Sequence, residues 1–479
     1  MTRILTVMAL FLFGVNPALA QWPAESAALG ARDHPKVLQR FGGEVQNPAL
    51  SDYVARIGAQ VVAVSSRASE DWHFTVLDSP EVNAFALPGG YVYVTRGLLA
   101  LANNESELAA VLAHEITHVI EAHVEARLEA QGDALVDGAL SALVTGIFGG
   151  GENRVGDAVR QGVETAFGQI GAYSKAQEFA ADAGGIALLR AAGYRPAAQA
   201  DFLVSMAANA ALKAAQAGRE YDAASTPIFA NHPAPAERQL RALELAGDAG
   251  GRQGVQDYLS AINGMIYGEN QRGGFMLGRR FMHRELGFSF EVPEGLRLQN
   301  AARQINIFGP NRSTLIMSGA PDTQDLRVAL QVWAAQIPRR ERQNRDIGNI
   351  QLLEISGMAA ATGTLSLRKR GQRSTLTMTV IRLNDGLIRF AGTVRRGDET
   401  SADLQWQTVQ SFRWLSEEGA AEHPPTYIYM HRVAAGETVE DLTKLVMVRG
   451  FWLDEFRRLN GLGPDEEVTV GQLVKIISF

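Results

Sequence analysis

The sequence predicts a multidomain α+β protein, with a mainly helical first part that includes a small sheet, an α+β middle part, and a small βααβ unit at the end. The length of 479 residues exceeds that of an ordinary single domain. Apolar residues recur at helical spacing in the first half, whereas short alternating apolar runs prevail from about Phe281 onward. These patterns predict a signal peptide at 1–20 and three domains at 21–267, 279–416 and 427–479.

The N-terminus has the pattern of a secretory signal peptide. Met1-Thr2-Arg3 is short and positive, Ile4 to Val15 is apolar, and Pro17-Ala18-Leu19-Ala20 ends in a small-x-small cleavage site. The apolar run is too short for a stable membrane span, and no cysteine follows the cleavage site. We therefore expect cleavage after Ala20 and an exported chain without a transmembrane span, in a bacterial periplasm and associated with the cell envelope.

Composition excludes several kinds of site and partner. The chain has no cysteine, so neither disulfides nor thiolate zinc sites are available, and a zinc site must use histidine and carboxylate. A net charge of −7 and a pI near 5.8 argue against a nucleic-acid partner.

The pentapeptide His114-Glu115-Ile116-Thr117-His118 predicts a metal site on a helix. Residues four apart on a helix lie about 40° apart in projection, so both imidazoles can bind one ion. Glu115 then lies beside that ion, where a general base for a zinc-bound water belongs. The capping residues Asn103 and Asn104 and the apolar spacing predict that this helix continues to Leu128.

The third ligand must come from elsewhere in the chain. The metzincin pattern would require Gly at 121 and His at 124, where this chain has Glu and Val. His123 falls about 180° from His114 on a continuous helix, so we interpret it as a surface residue or as a partner of a ligand. Glu178 and Asp182 lie four apart among small and apolar residues, where carboxylates are costly without a cation. This predicts Glu178 as the ligand and Asp182 as the acceptor that orients a ligand histidine.

Four motifs in order resemble the HtpX-like and CAAX-prenyl-protease-like gluzincin metallopeptidases. They are HEITH at 114–118, YSKAQEFAAD at 173–182, NAFALPGGYVYVTRGL at 83–98 and NHPAPAER at 231–238. The resemblance covers roughly residues 45 to 245. It implies a mainly helical zincin-type peptidase domain with one Zn²⁺ per chain, bound by His114, His118 and Glu178.

The two additional motifs have candidate roles. Tyr91-Val92-Tyr93-Val94 alternates as a strand does, and it is predicted to be the edge strand that accepts the substrate backbone, or else an ordinary sheet strand. His232 either stabilises the oxyanion or binds the zinc as a displaceable fourth ligand. Arg238 either stabilises developing negative charge or pairs with Asp182 or Glu178.

One internal segment and the middle domain carry no chemistry of their own. The apolar segment 134–148 is interpreted as a helix over the active site, followed by a glycine-rich turn and a helix at 155–167, with a membrane-touching element as the alternative.

Residues 240–266 are predicted to be one continuous helix, and 268–278 a linker. The middle domain, which loosely resembles small PsbP-like domains, is predicted to serve scaffolding or recognition. Its expected strands lie at 288–293, 305–308, 314–317, 351–355, 363–370, 375–382 and 387–394, and its helices at 328–337 and 402–412.

The C-terminal segment resembles the LysM fold over roughly Tyr429 to Ile477. It has a Gly-Glu-Thr turn at 436–438 and a Gly-Gln turn at 471–472, between a first and a last strand. The resemblance implies binding of glycans that contain N-acetylglucosamine, here peptidoglycan. The alternative is a divergent unit that only packs on the peptidase, because the segment around Val446 to Trp452 is atypically apolar.

These observations predict an exported zinc metalloendopeptidase that acts on proteins, with Glu115 as general base. The expected substrates are misfolded or envelope proteins, and the expected partners are peptidoglycan or the outer-membrane assembly machinery. Two other functions stay open at this point. One is a chaperone-like quality-control factor for outer-membrane proteins, and the other is a peptidoglycan-binding adaptor with an inactive peptidase domain.

Overall fold

The computed structural model of the protein describes residues 22–123, 125–126, 173–216, 218, 220–221, 232, 235–270, 273–301, 304–338, 342, 347–369, 372–383, 386–416, 424–445 and 451–479. The predicted signal peptide and the predicted helices at 134–148 and 155–167 lie outside the described residues. Among those that are described, no helix combines the length and the hydrophobicity that crossing a bilayer requires. The described chain is an α+β protein, with a helical N-terminal region followed by several β-sheets and few helices.

The N-terminal region begins with two helices and a three-stranded sheet. Its elements are α1 (Ala24–Arg40), α2 (Pro48–Val62), β1 (His73–Leu77), β2 (Ala84–Leu87) and β3 (Tyr91–Thr95). The strand order is β1-β3-β2, with β3 parallel to β1 and antiparallel to β2. The prediction that Tyr91, Val92, Tyr93 and Val94 form an edge strand is therefore wrong. Both sides of β3 are already hydrogen-bonded to neighbouring strands, and β1 and β2 form the two edges of the sheet.

Helices then build the core around the HEITH segment. They are α3 (Arg96–Leu101), α4 (Glu105–Ile120), α5 (Lys175–Ala191), α6 (Ala198–Gln216), α7 (Pro235–Ala246) and α8 (Val255–Ile262). The Asn104 side chain caps α4 by accepting from the Glu107 backbone N–H, and every residue from Glu105 to Val119 is buried. The prediction that α4 extends to Leu128 is wrong. The helix ends at Ile120, because the backbone of Ala122 is left-handed with φ of 52°.

The predicted continuous helix at 240–266 is also wrong, because α7 and α8 are separate helices. Gly247 and Gly254 flank the break with φ of 55° and 66°. A Cβ at Gly254 would lie 2.7 Å from that of Glu105, at the start of α4. The turn therefore needs glycine for both its conformation and its close approach to α4.

The middle region contains two sheets. The seven-stranded sheet has the order β11-β12-β13-β14-β10-β9-β8, and the four-stranded sheet has the order β15-β7-β6-β5. The strands after β4 (Ile266–Tyr267) are β5 (Phe275–Leu277), β6 (Arg280–His283), β7 (Phe288–Glu291), β8 (Arg297–Ala301), β9 (Gln304–Phe308), β10 (Thr314–Ala320), β11 (Gly348–Ile355), β12 (Met358–Lys369), β13 (Gln372–Leu383), β14 (Gly386–Arg395) and β15 (Arg413–Trp414). The helices α9 (Leu326–Ala335) and α10 (Glu399–Gln410) complete this region. Sequence reasoning missed β5, which lies inside the predicted linker, as well as β6 and β8.

The C-terminal unit has the order β16 (Thr426–Arg432), α11 (Val439–Thr443), α12 (Trp452–Leu459) and β17 (Leu473–Ser478). Strand β16 pairs with β17 and also with β4, which follows the last helix of the helical region. Apolar residues of this unit, including Phe456 and Ile477, share one buried cluster with α4 residues such as Leu112. The βααβ unit is therefore packed into the helical region.

Candidate metal centre

Helices α4 and α5 approach closely because α5 carries two glycines at the contact. A Cβ added to Gly184 would lie 2.5 Å from Thr117 Cγ2, and one added to Gly185 would lie 3.2 Å from the His114 backbone nitrogen. Side chains at these positions would push the helices apart. The small residues after Glu178 thus allow a carboxylate from α5 to reach the two histidines of α4.

Four side chains converge at this contact. His114, His118, Glu178 and His232 each offer one ligand atom, and these atoms lie within 4.8 Å of one another. The Nε2 atoms of His114 and His118 are 3.1 Å apart. Glu178 Oε1 lies 3.3 Å from His118 Nε2, and its Oε2 lies 3.6 Å from His114 Nε2. His232 Nδ1 lies 3.0 Å from Glu178 Oε1. All four residues are buried.

The residues present fit zinc. Two imidazoles and a carboxylate form a donor set that catalytic zinc sites use, and such sites keep an open position. The adjacent Glu115 Oε2 is buried and lacks a hydrogen-bond partner among the described residues. A buried carboxylate oxygen without a partner is costly, so this arrangement indicates that a group outside the chain completes the site.

Outer contacts fix the orientation of both HEITH histidines. His114 Nδ1 lies 3.0 Å from Asp182 Oδ1. His118 Nδ1 lies 2.9 Å from His123 Nδ1, and the Tyr173 ring stacks on the His118 ring with centroids 3.8 Å apart. Each histidine therefore directs Nε2 at the cluster and holds Nδ1 in a contact, which is the arrangement that metal-binding histidines use.

Arg238 neutralises the carboxylates behind the cluster. Its Nε and Nη2 each donate to Asp182 at 2.7 Å, and its Nη1 lies 2.5 Å from Glu178 Oε2. Burial alone would raise the pKa of Glu178, but His232 and Arg238 hold that pKa well below its usual range. Burial likewise opposes the ionisation of Asp182, and the hydrogen bonds from Arg238 and His114 lower its pKa. Gln199 Nε2 also donates to Asp182, at 2.9 Å.

Glu115 lies in the wall of a cavity of about 40 Å³, which His114 and His232 also line. Burial raises its pKa, and the nearby His232 and His114 oppose that rise. Its Oε1 lies 3.9 Å from His232 Nε2. A carboxylate whose pKa is raised is suited to proton transfer.

The structure brings together His114, Glu115, His118, Glu178, Asp182, His232 and Arg238, which sequence reasoning singled out. Tyr91–Val94 is not an edge strand and does not line the cavity; Asn83 and Ala84, at the start of β2, line it instead. Sequence reasoning did not assign Gln199, and no local pattern in α6 marks it. It also placed His123 away from the cluster, because the helix was expected to continue.

Comparisons with known proteins agree with this site. Residues 48–246 match the model of peptidase family M48. The beta-barrel assembly-enhancing protease of Escherichia coli (strain K12) is 29% identical over 196 residues, which cover 40% of this chain and 38% of that protein. The putative beta-barrel assembly-enhancing protease of Vibrio cholerae is 30% identical over 201 residues, with the same coverage of 40% and 38%. The mitochondrial metalloendopeptidase OMA1 of Schizosaccharomyces pombe is 46% identical over 63 residues, covering 13% of this chain and 19% of that protein.

Residues 48–246 are therefore similar to M48 peptidase domains, and they contain the candidate metal site of His114, His118 and Glu178. The matches span less than half the length of these relatives. The family match ends at Ala246 and lends no support to the LysM resemblance of the C-terminal unit.

Two solved structures are similar to part of the chain. LpqN of Mycobacterium tuberculosis has a TM-score of 0.23 and 16% identity, covering 27% of this chain and 83% of that one. Cyanobacterial PsbP of Synechocystis has a TM-score of 0.24 and 15% identity, covering 29% of this chain and 98% of that one. Likenesses at this level carry no argument about function.

Proposed function

We propose that the protein is an exported zinc metalloendopeptidase that hydrolyses peptide bonds in misfolded or envelope proteins. The observation that carries this proposal is the convergence of His114, His118 and Glu178 beside Glu115, in the segment that matches peptidase family M48. A chain that had lost the activity would be expected to lose a ligand or the base. Here all four residues are present and buried around one point.

The residues around the cluster divide the chemistry between them. Zinc, when bound, polarises the scissile carbonyl and lowers the pKa of water. Glu115 accepts the proton of the attacking water and later passes it to the leaving amine. Asp182 and His123 hold the two HEITH histidines in orientation, and Arg238 keeps Glu178 and Asp182 ionised.

His232 has two candidate roles, and the geometry favours that of a displaceable fourth ligand. Its Nδ1 faces the cluster at 3.0 Å from Glu178 Oε1 and 3.4 Å from His114 Nε2. As a displaceable ligand it would lower activity until substrate replaces it, so His232→Ala should raise the rate of peptide cleavage. As an oxyanion donor it would stabilise the transition state, and the same variant should lower that rate.

Substrate is proposed to bind in an extended form along β2, since this strand lies at the edge of the sheet and contacts the cavity. Backbone pairing at a sheet edge recognises a polypeptide without reading most of its side chains. This suits an enzyme that acts on misfolded proteins. A masked or folded substrate would not present the required extended segment.

Location and partners rest on the signal-peptide pattern and on the relatives. The pattern at 1–20 supports export to the periplasm, with cleavage after Ala20. Because two relatives are named for enhancing β-barrel assembly, we propose the outer-membrane assembly machinery and its substrates as partners. Peptidase activity in the medium of cells, rather than in their periplasmic fraction, would count against this location.

The C-terminal unit is proposed to bind peptidoglycan, and the βααβ order of 427–479 supports this. Its burial against the peptidase region favours the alternative, in which it only packs there. The two are separated by sedimentation of the full chain with purified sacculi. Co-sedimentation that chitin oligomers abolish supports glycan binding, and a chain that stays in solution rejects it.

The activity is tested by Glu115→Gln, with Glu121→Gln as the control. Glu121 is exposed just beyond the end of α4, so its amide should leave activity unchanged. Glu115→Gln should keep zinc and the fold but lose cleavage of casein by at least about a hundredfold. A Glu115→Gln protein that cleaves at the wild-type rate would reject the assignment. A cellular phenotype that survives this substitution would favour the chaperone-like alternative.

A further inference from the structure

A second cavity, of about 520 Å³, lies between the helical region and the middle region. One wall comes from the end of α1 and from residues 78–81, which lead from β1 to β2, and the opposite wall comes from strands of both middle sheets. Its volume is typical of cavities that bind ligands, and the proposed reaction does not use it. We name it the acidic cleft, because four carboxylates line it, those of Glu44, Asp78, Glu81 and Glu269.

Few positive charges face these carboxylates. Arg96 Nε donates to Asp78 Oδ1 at 2.5 Å, so that Asp78 is neutralised. Among the described residues that line the acidic cleft, Arg40 is the one arginine or lysine, and its charge acts on Glu81. Burial lowers the pKa of His283, which keeps this imidazole neutral near pH 7.

The remaining carboxylates give the acidic cleft an excess of negative charge. Glu44, Glu81 and Glu269 are exposed, and none of them forms a salt bridge with another residue that the structure describes. Partial burial raises the pKa of Glu269, Arg96 opposes this rise, and the negative charges of Glu81 and Asp78 add to it. A cation that enters the acidic cleft therefore relieves repulsion between the carboxylates.

The floor of the acidic cleft is apolar. Phe288, Ile305, Met317 and Ile388 come from four strands of the middle region, and each is more than nine-tenths buried. An apolar floor below exposed carboxylates matches a side chain with a long hydrocarbon stem and a cationic head, as lysine and arginine have. An anion would meet repulsion there, and a purely apolar group would leave the carboxylates unmatched.

The acidic cleft is adjacent to β2, where substrate is proposed to bind. The ring of Phe41, which lines the cleft, stacks on that of Phe85 in β2 with centroids 5.3 Å apart. Residues 78–81 precede Ala84 by three to six positions, and Ala84 lines the cavity that contains Glu115. At roughly 3.3 Å per residue, an extended polypeptide covers the distance to the cleft with three to six of its own residues.

We propose that the acidic cleft binds a lysine or arginine side chain of the substrate polypeptide, three to six residues away from the cleaved bond. The proposal rests on the proposed peptidase function and on substrate pairing with β2, and it adds a charge preference for the substrate. Because Glu44, Glu81 and Glu269 are exposed, water and salt screen them. The preference should therefore be modest and should depend on ionic strength.

The proposal is tested with peptides that share one cleavable core and carry a single lysine or a single glutamate at successive distances from the bond. The full-length, zinc-loaded protein should cleave the lysine peptides with about three- to tenfold higher kcat/KM when the lysine lies three to six residues away on one side. This advantage should fall below about twofold in roughly 0.5 M sodium chloride. Equal values for lysine and glutamate at every distance would overturn the proposal. Absence of any cleavage that depends on Glu115 would instead reject the proposed function.

Variants of the carboxylates connect the preference to the acidic cleft. Glu81→Gln combined with Glu269→Gln should remove most of the lysine preference, and Glu269→Lys should shift the preference towards glutamate. The control is Glu294→Gln, because Glu294 is exposed in the middle region and does not line the cleft. Circular dichroism and zinc content show whether each variant is folded. A folded double variant that keeps the full lysine preference would contradict the proposal.

A binding measurement keeps the test independent of cleavage. Labelled peptides whose flanks contain either lysine or glutamine around the same core are titrated into zinc-loaded Glu115→Gln protein, with fluorescence anisotropy as the readout. We expect the lysine peptide to bind about three- to tenfold more tightly, and we expect the difference to vanish when Glu81→Gln and Glu269→Gln are added. Equal affinities of the two peptides would overturn the proposal even if cleavage were selective.

Discussion

The Nδ1 atoms of His118 and His123 lie 2.9 Å apart. The contact exists because α4 ends at Ile120 and the left-handed backbone of Ala122 turns the chain back. When His118 presents Nε2 to a metal, its Nδ1 carries the proton and donates to Nδ1 of His123. His123 is thus positioned to fix the tautomer and ring orientation of His118.

Replacing His123 should weaken metal binding without removing a ligand. His123→Phe deletes the acceptor, and we expect zinc affinity to fall by about 10 to 100-fold. His123→Asn retains an acceptor and should recover part of that loss. The measurement is competition with a fluorescent zinc chelator, with His431→Phe in the C-terminal unit as the control. Unchanged affinity in His123→Phe would contradict the orienting role.

The variant Arg238→Met, which removes the Arg238 guanidinium, should destabilise the protein. Asp182 and Glu178 would then be left as buried charges without their counter-ion, which costs about 3–5 kcal/mol. The control Arg241→Met lies on the same helix and is exposed, and the contact it loses among the described residues is that with the Phe179 ring, worth about 0.5–1 kcal/mol. Urea unfolding of both variants measures the difference. Equal urea midpoints would show that the contacts of Arg238 with Asp182 and Glu178 contribute little to the free energy of unfolding.

The ion pair between Arg238 and Asp182 also predicts how the free energy of unfolding depends on pH. Because the pKa of Asp182 is lowered in the folded protein, its contribution is fully present above about pH 4, the unfolded value, and is lost as the pH falls below it. Metal-free wild type should therefore lose stability more steeply than Asp182→Asn as the pH falls below about 4. Urea titrations with chelator at several pH values test this. If the free energies of unfolding of the wild type and of Asp182→Asn changed in parallel with pH, this would argue against an ionised Asp182 in the folded protein.

A buried lysine joins the C-terminal unit to the helical region. Lys475 Nζ donates to the carbonyl oxygens of Ala100 and Ala102 at 2.9 and 2.8 Å, and to that of Leu101 at 3.3 Å. Lys475→Met keeps the volume but leaves these buried acceptors at the end of α3 without the cation, so we expect a loss of roughly 2 kcal/mol or more. Thermal unfolding compared with the exposed control Lys444→Met, expected within about 0.5 kcal/mol of wild type, measures it.

Much of the site could be predicted from the sequence because its chemistry is local. The spacing of His114 and His118 and the costly carboxylates on α5 both follow from helix geometry and solvation. What could not be predicted depends on contacts between distant segments. The edge position of β2 is set by strand pairing, and the contact of His123 is set by the backbone of Ala122. No local residue pattern encodes either relationship.

The fold of the middle region was predicted in its longer strands and missed in its shorter ones. Strands β12 to β14 have long alternating sequences, whereas β5 and β6 are three and four residues long and lie among glycines.

The C-terminal unit had the expected order of elements, but its burial against α4 could not be foreseen. Lys475, which contacts the end of α3 in this interface, reads in sequence as an ordinary surface cation.

The metal content of Glu178→Ala, measured together with its protease activity, tests the central claim most directly. Elemental analysis of the full chain should find one zinc per wild-type molecule, and Glu178→Ala should lose both the zinc and the cleavage of casein. The control is Glu237→Ala, because Glu237 is exposed and, among the described residues, pairs with Lys175 on the surface. A Glu178→Ala protein that retains one zinc and cleaves at the wild-type rate would contradict the account.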